Sequence, residues 1–366
     1  NATERILRHA SQLGFDDCAV ARCHPLNSQR ETFEEWLEHG YDGSLGYLRR
    51  HVAKRFDPSL LVEGARSVIV CAVSYHRPLS EGDIPSRIAS YAHSRDYHLT
   101  LREKLAELLV LVRELYPDSE GRAFTDTAPI VEKAWAAEAG LGWIGRNSLL
   151  IHPRLGSFVL LGEIVTTAEL DAGRPAVPDG CGNCHRCIDA CPAGAILPGR
   201  RIDASRCISR RTIERGEGDE GELHGWIFGC DLCQRACPHN RRAPIASNKA
   251  FRPVPELERM NAEQWLALNR AQFDRLFSQT PLARCGIGSS DRIHDSPDNL
   301  LLRAVTMHIP FHRPAESPDG RHAERPTSSS RQAERTPPPG TIAGRTSAAR
   351  FSDEKRNGSS DPLRLL

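Results

Sequence analysis

Three features are missing from this sequence: an excess of charge, a long apolar run and a charged-then-apolar opening segment. The 366 residues include 48 basic and 47 acidic side chains, which gives a net charge of +1. No overall field therefore attracts nucleic acid, and a nucleic-acid partner would have to bind a local basic patch. No apolar run reaches the roughly 18 residues of a membrane span, and no charged-then-apolar segment opens the chain. We expect a cytoplasmic protein with no membrane partner.

Cysteine, in contrast, is abundant, with 12 residues. A first motif, C-x2-C-x2-C-x3-C-P, contains Cys181, Cys184, Cys187 and Cys191. Cys207 follows, and a second motif, C-x2-C-x3-C-P, contains Cys230, Cys233 and Cys237. Each [4Fe-4S] cubane needs four thiolates, and short x2 spacings let one tight turn supply three of them from one side. The spacing predicts two [4Fe-4S] clusters and a chain that conducts single electrons.

The fourth cysteine of each motif in two-cluster ferredoxins ligates the other cluster, so we expect a crossed pairing. One cluster is assigned to Cys181, Cys184, Cys187 and Cys237, and the other to Cys191, Cys207, Cys230 and Cys233. Zinc sites usually take four ligands from paired knuckles, which a triple run ending in C-P fits poorly. Disulfide frameworks belong to small secreted chains. The remaining cysteines, Cys18, Cys23, Cys71 and Cys285, are expected to be free thiols.

The residues before the cysteine motifs predict a mixed α/β domain over residues 1–170. The β-branched run from Ser67 to Tyr75 and the apolar run from Ser157 to Thr167 predict two strands of one sheet. Between Tyr97 and Leu115, apolar residues recur at helical spacing with charges between them, which predicts a helix. Pro175 and Pro178 mark a linker, so we expect the domain boundary near residue 171.

Three further regions are expected beyond that boundary. They are a ferredoxin-type domain with both clusters at residues 171–245, a small helical packing region at 246–312 and a tail at 313–366. One helical stretch from Asn261 to Phe277 supplies the large apolar residues of the packing region. The tail is rich in Ser, Pro, Arg, Gly and Thr and poor in large apolar residues, so we expect it to be disordered.

A G-x-G-x-x-G motif at Gly140, Gly142 and Gly145 resembles a dinucleotide fingerprint, but its context differs. That fingerprint lies between a strand and the helix it opens, whereas the residues before Gly140 predict a helix that ends there. Gly140 is therefore expected to be a helix cap, and the other glycines to allow a close-packed loop.

Two aspartates precede predicted helices and have alternative roles. Asp96-Tyr97-His98 resembles the start of the D-x-H-x-x-G signature by which some corrinoid proteins offer histidine to cobalt, but Leu101 replaces the glycine. A capping aspartate beside a packing histidine is the favoured interpretation. Asp126, in the segment FTDTAP, is by itself also best interpreted as a helix cap.

Arginines surround Cys207 in the sequence. Such a run is usually a solvated face, but beside a redox centre it could hold phosphates. The cluster consists of Arg200, Arg201, Arg206, Arg210, Arg211 and Arg215.

Seven segments together resemble the epoxyqueuosine reductase family, which is related to the reductive dehalogenases. They are EGARSVIVCAVSY, SRDYH, DTAPIVEKAWAAEAGLGWIGRNSLLI, GSFVLLGEI, CGNCHRCIDACPAGAI, RCIS and FGCDLCQRACPHN. The likeness runs in order from about residue 10 to residue 285 and is far more specific than any single motif.

The resemblance implies a cobalamin-dependent iron–sulfur oxidoreductase that removes the epoxide oxygen of epoxyqueuosine at the wobble position of tRNA, giving queuosine and water. It implies tRNA, through its anticodon stem-loop, as substrate and an external electron donor. The sequence leaves the oligomeric state open, and we expect that a monomer suffices. The opened oxygen leaves badly unless protonated, and by resemblance Asp126 is the acid. Arg55, Ser209 and Asp231, like Asp126, match positions near the cobalamin. Arg215 is the candidate contact to a tRNA phosphate.

The carboxyl end departs from the family, because after SQTPLAR the chain continues as CGIGSSDRIHDSPDN and a biased tail. Two other functions compete. A reductive dehalogenase would share the cofactors but typically carries a twin-arginine leader, whereas Arg49-Arg50 is followed by HVAKR. A plain two-cluster electron carrier would not need an α/β region of about 170 residues before the clusters.

Overall fold

The computed structural model describes residues 1–214 and 221–285, all within one compact unit. Arg215, the residues after 285 in the predicted packing region, and the predicted tail lie outside the described residues. The described chain is a mixed α/β fold followed by a cysteine-rich region and a helical end, as the sequence predicts. The domain boundaries given above stay predictions.

A four-stranded antiparallel sheet forms the centre of the first region, with strand order β1-β2-β6-β3. Its strands are β1 (Asp17–Arg22), β2 (Ser67–Ser74), β3 (Gly121–Phe124) and β6 (Val159–Thr166). Every residue of β2 is buried, which explains its unbroken run of apolar and small residues. The two strands predicted from apolar runs are confirmed, and they pair directly with each other.

Helices cover both faces of this sheet, because side chains along β2 alternate between them. Ile69, Cys71 and Val73 join the core beneath α1 (Ala2–Gln12) and α5 (Tyr97–Leu115). The residues between them join the core beneath α2 (Asn27–Glu38), α3 (Val52–Phe56) and α6 (Glu132–Glu138). The helix predicted at Tyr97–Leu115 is confirmed. The helices of this region are α1 (Ala2–Gln12), α2 (Asn27–Glu38), α3 (Val52–Phe56), α4 (Asp83–Ser86), α5 (Tyr97–Leu115) and α6 (Glu132–Glu138).

The glycine motif lies where α6 ends and a small hairpin begins. The hairpin pairs β4 (Trp143–Ile144) with β5 (Leu150–Ile151). Gly140 follows the helix end with a positive φ of 74°, as expected for a helix-terminating glycine. A Cβ atom on Gly142 would lie 2.2 Å from the carbonyl oxygen of Ile151. The predicted cap and close-packed loop are confirmed.

The cysteine region consists of short elements. They are α7 (Arg186–Asp189), β7 (Ile196–Leu197), β8 (Arg201–Ile202), α8 (Ile208–Ile213), α9 (Leu232–Arg235) and α10 (Pro238–Arg241). β7 and β8 pair as an antiparallel ribbon. Helices α7 and α9 each contain the middle cysteine of a C-x2-C-x3-C segment, Cys187 and Cys233, so the two motifs fold alike.

The helical end contains α11 (Pro255–Arg259), α12 (Ala262–Leu266) and α13 (Arg270–Phe277). The helical stretch predicted from Asn261 to Phe277 is confirmed, but it consists of two helices. Asn261 and Asn269 each begin a helix with a capping box, in which the asparagine and a glutamine three residues later bond each other's backbone. Trp265 and Phe277 pack into the core that α1 and α5 share.

Short 3-10 turns connect these elements. They span Gly46–Arg49, Pro58–Leu60, Ser90–His93, Pro198–Arg200, Lys249–Phe251 and Pro281–Cys285. Among the described residues, no helix combines the length and the apolar character that crossing a membrane requires.

Candidate active site

A cleft opens between one end of the sheet and the cysteine region, with about 1100 Å³ of empty space including its mouth. On the sheet side it is lined by Tyr97, Asp126, Glu132, Lys133 and the β6 residues Val159, Leu160 and Leu161. On the opposite side it is lined by Cys207, Ser209, Cys230, Asp231, Cys233 and Gln234. One cavity therefore joins the predicted acid to three predicted cluster ligands.

Asp126 is buried in the loop between β3 and α6, with a positive φ of 55°. Its Oδ2 accepts a hydrogen bond from the Tyr97 hydroxyl and lies 2.9 Å from Nε2 of His98. It does not cap α6, which begins six residues later after Val131 without a side-chain cap. The capping interpretation of Asp126 is therefore wrong, because the side chain turns back onto the start of α5.

His98 lies between two carboxyl groups. Its Nδ1 is 2.6 Å from Oδ1 of Asp96, and its Nε2 is 2.9 Å from Oδ2 of Asp126. A neutral imidazole has only one N–H, so both contacts are hydrogen bonds only if the group holds one further proton. Asp96 also accepts from the His98 backbone N–H and caps α5, which confirms the expected cap, and its side chain contacts the His98 ring as well.

Three ionisable side chains behind the acid were not singled out from the sequence. Glu132, at the first position of α6, accepts the backbone N–H of Asp126 at 2.5 Å. Lys133 is partly exposed at the cleft, but its ammonium group lies at depth, where burial lowers its pKa to about 7. Glu163 is fully buried on β6, and burial raises its pKa well above the ordinary value. A lone glutamate inside the apolar run SFVLLGEIVTT was the one available sequence signal for this layer.

The eight motif thiols form two neighbouring groups of four. Cys237, distant in sequence, interacts electrostatically with Cys181 and Cys184, and Cys187 interacts with Cys237 and Cys181. Cys207 interacts with Cys191, and Cys230 interacts with Cys233 and Cys207. Cys233 also interacts with Cys187, so the two groups adjoin there. The two groups have the same members as the crossed pairing expected from the spacing, and the assignment of each ligand to a cluster stays a prediction.

The chemistry of these thiols fits iron. Burial raises the pKa of Cys207, Cys233 and Cys237, and neighbouring thiolates raise each further. Buried thiolates packed together in this way are stabilised by a bound cation. Among the residues that the structure describes, no three His, Cys, Asp or Glu side chains converge as ligands of a single metal ion. The corners of a cubane are farther apart than the ligands of one ion.

Two hydrogen bonds reach ligand sulfurs. The Trp143 indole N–H donates to Sγ of Cys181 at 3.4 Å, and the Ala195 backbone N–H donates to Sγ of Cys191 at the same distance. Trp143 is buried on β4 and stacks edge-on with His239, 4.9 Å between ring centres. It therefore links the α/β region to the first group of thiols.

Of the other predicted site residues, two line the cleft and one does not. Ser209 and Asp231 line the cleft, and Asp231 accepts from the backbone N–H and hydroxyl of Ser90 at 2.7 and 2.8 Å. Arg55 is buried on α3, donates to the carbonyl of Tyr47 at 3.1 Å and is not among the residues that line the cleft. Arg215 is outside the described residues.

Three arginines of the cluster are buried or paired and do not form the solvated face that such a run usually makes. Arg210 is fully buried and donates to the Ala204 carbonyl and the Ser44 hydroxyl. Arg200 and Arg201 pair with Asp179 and Glu35. These three side chains hold the cysteine region together and against α2.

The sequences of several relatives match most of this chain. An epoxyqueuosine reductase from Cyclobacterium marinum is 40% identical over 288 residues, which cover 77% of this chain and 92% of that protein. The chain belongs to the epoxyqueuosine reductase family. Another member, from Cellulophaga algicola, is 36% identical over 286 residues, covering 77% of this chain and 93% of that protein.

Profiles of two families match parts of the chain. Residues 55–127 match the family described as "Epoxyqueuosine reductase QueG, DUF1730", and residues 180–240 match the "4Fe-4S double cluster binding domain". The second match contains all eight motif cysteines, so the predicted double-cluster domain is confirmed.

A solved epoxyqueuosine reductase shares the fold. It was crystallised with a tRNA-Tyr epoxyqueuosine-modified tRNA stem loop, and it matches with a TM-score of 0.70 at 26% identity. The match covers 83% of this chain and 82% of that chain. The epoxyqueuosine reductase fold therefore includes the sheet, the cysteine region and the cleft between them.

Proposed function

We propose that this chain reduces the epoxide of epoxyqueuosine in tRNA to the alkene of queuosine, using two [4Fe-4S] clusters and a cobalamin. The observation that carries the proposal is the cleft, which places Asp126 across from Cys207, Cys230 and Cys233. The reaction consumes two electrons and two protons: both carbon–oxygen bonds of the epoxide break, a carbon–carbon double bond forms and the oxygen leaves as water. A site for it needs a source of electrons facing a source of protons.

The cleft fits a large flat cofactor. Val159, Leu160, Leu161 and Ile213 provide apolar walls, while Asp126, Ser209, Asp231 and Gln234 provide polar groups among them, a mixture typical of cofactor sites. Ser209 and Asp231 would contact the cobalamin from the side of the clusters. Arg55 remains a proposed contact from the resemblance alone. When bound, the cobalamin supplies the electron pair that opens the epoxide.

Asp126 provides the proton for the leaving oxygen. An oxygen expelled without a proton would leave as a strongly basic anion, so a positioned acid lowers the barrier. Asp126 is buried but touches the cleft, and His98 and Tyr97 hold its Oδ2 in place. Asp96 and His98 form a hydrogen-bonded row that ends at Asp126, and a proton can reach the acid along it after the first transfer. This route meets the demand for a second proton.

Electrons would enter the cysteine region at the group of thiols that does not line the cleft. Cys207, Cys230 and Cys233 line the cleft, so their cluster would be the last before the reaction centre. The motif around Cys181, Cys184 and Cys187 includes exposed residues at Gly182, Asn183, His185 and Arg186. The cluster bound there would receive electrons from the external donor. A tRNA substrate places the reaction in the cytoplasm, and one chain supplies every group named here, so a monomer suffices.

Anaerobic purification followed by metal analysis tests the cofactors, and turnover tests the substrate. We expect iron and acid-labile sulfide for two clusters, cobalamin bound or bindable, and conversion of epoxyqueuosine-containing tRNA to queuosine-containing tRNA. The same preparation is offered a haloorganic compound. Dehalogenation without tRNA turnover would overturn the proposed substrate, and zinc in place of iron would overturn the redox chemistry. Clusters without bindable cobalamin would indicate an electron carrier.

A further inference from the structure

Glu163 occupies an apolar position in the sheet. It lies on β6 between Leu161 and Val165, on the face that α6 covers, and its cross-strand neighbours are Val70 and Phe124. None of its surface is exposed. Within the described part of the chain no cation forms an ion pair with Glu163, so a carboxylate here would lose its hydration uncompensated, which costs several kcal/mol. The residue needs an explanation other than packing.

The contacts of Glu163 indicate a neutral acid. Among the described residues, no N–H or O–H group donates to either of its carboxyl oxygens. Its hydrogen-bond partner is the carboxyl group of Glu132. Two carboxyl groups form a hydrogen bond only when one of them holds a proton. Burial and the neighbouring Glu132 carboxyl group raise the pKa of Glu163. Glu132 already accepts the Asp126 N–H, whereas Glu163 is fully buried and accepts no hydrogen bond from a described residue, so we assign the proton to Glu163.

Glu132 in turn holds the backbone of Asp126. The Asp126 N–H donates to Oε1 of Glu132 at 2.5 Å, while the φ of 55° places Asp126 in the left-handed region. A residue other than glycine keeps that conformation only when its surroundings stabilise it. Lys133, the nearest cation along the helix, donates to the carbonyl of Ser148 at 2.6 Å.

We propose that Glu132 and protonated Glu163 form a latch that positions the acid Asp126 in the cleft. The Glu163 O–H donates to Glu132, and Glu132 accepts the Asp126 N–H, so one row of hydrogen bonds runs from the middle of the sheet to the reacting group. Both glutamates are positioning residues. Their role as a support for catalysis rests on the proposed function of Asp126, whereas the latch itself does not.

Four variants separate the parts of the latch. Glu132→Ala removes the acceptor, and we expect kcat to fall about 100-fold, the usual effect of misplacing a catalytic group by about 1 Å. Glu132→Gln keeps an acceptor oxygen and should therefore retain most of the wild-type kcat. Glu163→Met removes the donor at similar volume and should lower kcat about 10-fold. Glu163→Gln keeps an uncharged hydrogen-bond donor and should have a kcat close to that of the wild-type protein.

KM for tRNA should change little in all four variants, since both glutamates act on the position of Asp126 and not on the binding of tRNA. The matched control is Glu169→Gln, an exposed glutamate just after β6. Cluster absorbance and melting temperature show that each variant is folded.

Two readouts are independent of turnover. The infrared carbonyl band of a protonated carboxyl group should disappear in Glu163→Gln and persist in the Glu169→Gln control. Crystal structures should show Asp126 displaced from Tyr97 in Glu132→Ala and in place in Glu132→Gln.

An unchanged infrared band, or an Asp126 unmoved in Glu132→Ala, would overturn the latch. If the band and the displacement are as expected but the wild-type protein does not convert epoxyqueuosine, the proposed function fails and the latch stands.

Discussion

Replacing Asp126 with asparagine tests the proposed acid with little change of shape. Both contacts of the side chain, from the Tyr97 hydroxyl and from Nε2 of His98, converge on the single oxygen Oδ2. The amide oxygen of asparagine can occupy that position and accept both, so the loop should keep its conformation. The amide cannot donate an acidic proton. General acid catalysis typically contributes 10²–10⁴-fold, so we expect kcat to fall by that factor, about 3 to 5 kcal/mol in the barrier.

The assay is anaerobic single turnover with epoxyqueuosine-containing tRNA, followed by mass spectrometry of the released nucleosides. Iron, cobalamin binding and tRNA affinity should match those of the wild-type protein. Asp42→Asn is the matched control, because Asp42 is equally buried, pairs with Arg49 and is not among the residues lining the cleft. It should lower the melting temperature but keep kcat. Wild-type rates in Asp126→Asn would remove this residue from the mechanism, and a loss of clusters in it would show a structural role instead.

Three further outcomes are expected. Trp143→Phe removes the N–H donated to Cys181 and should lower the reduction potential of one cluster in an EPR titration, leaving the other unchanged; equal potentials would contradict this. Burial of Glu258 opposes its ionisation, but hydrogen bonds, first of all that from His93, lower its pKa from an ordinary 4.5 to about 2. The Glu258 carboxylate therefore stabilises the fold above pH 4.5, and this stabilisation is lost as the pH falls toward 2. Glu258→Gln should therefore reduce the unfolding free energy by about 1–3 kcal/mol at pH 7 and by little near pH 2, measured by thermal melts. Arg215→Ala should weaken tRNA binding and reduce its salt slope by about 1, and an unchanged slope would exclude a phosphate contact.

Local signals were enough to predict the main elements. The buried strand at Ser67–Ser74 and the helix at Tyr97–Leu115 are long and strongly patterned, so their burial and period are visible in the residues themselves. Cluster ligands are equally visible, because most of the sulfurs come from short contiguous motifs. The break between α12 and α13 was missed, because Asn269 looks like any polar residue until its capping bond is seen.

The contacts around Asp126 could not be predicted in the same way. His98 was interpreted as a packing residue, and Asp126 alone as a cap, because their contact joins residues 28 positions apart through the fold. Glu163 and Glu132 belong to a strand and a helix that meet only when α6 packs on the sheet. Such pairs depend on tertiary structure, which neither periodicity nor spacing encodes.

The shared apolar core makes the two ends of the described chain dependent on each other. Ile6 of α1 and Phe273 and Phe277 of α13 belong to one cluster of buried side chains around α5. A shortened version that stops after the last cysteine motif would uncover that cluster, and removing even one such phenylalanine typically costs about 3–5 kcal/mol. Limited proteolysis should accordingly spare the folded body until it unfolds as a whole, and affinity tags or fluorescent labels are best attached beyond the final helix.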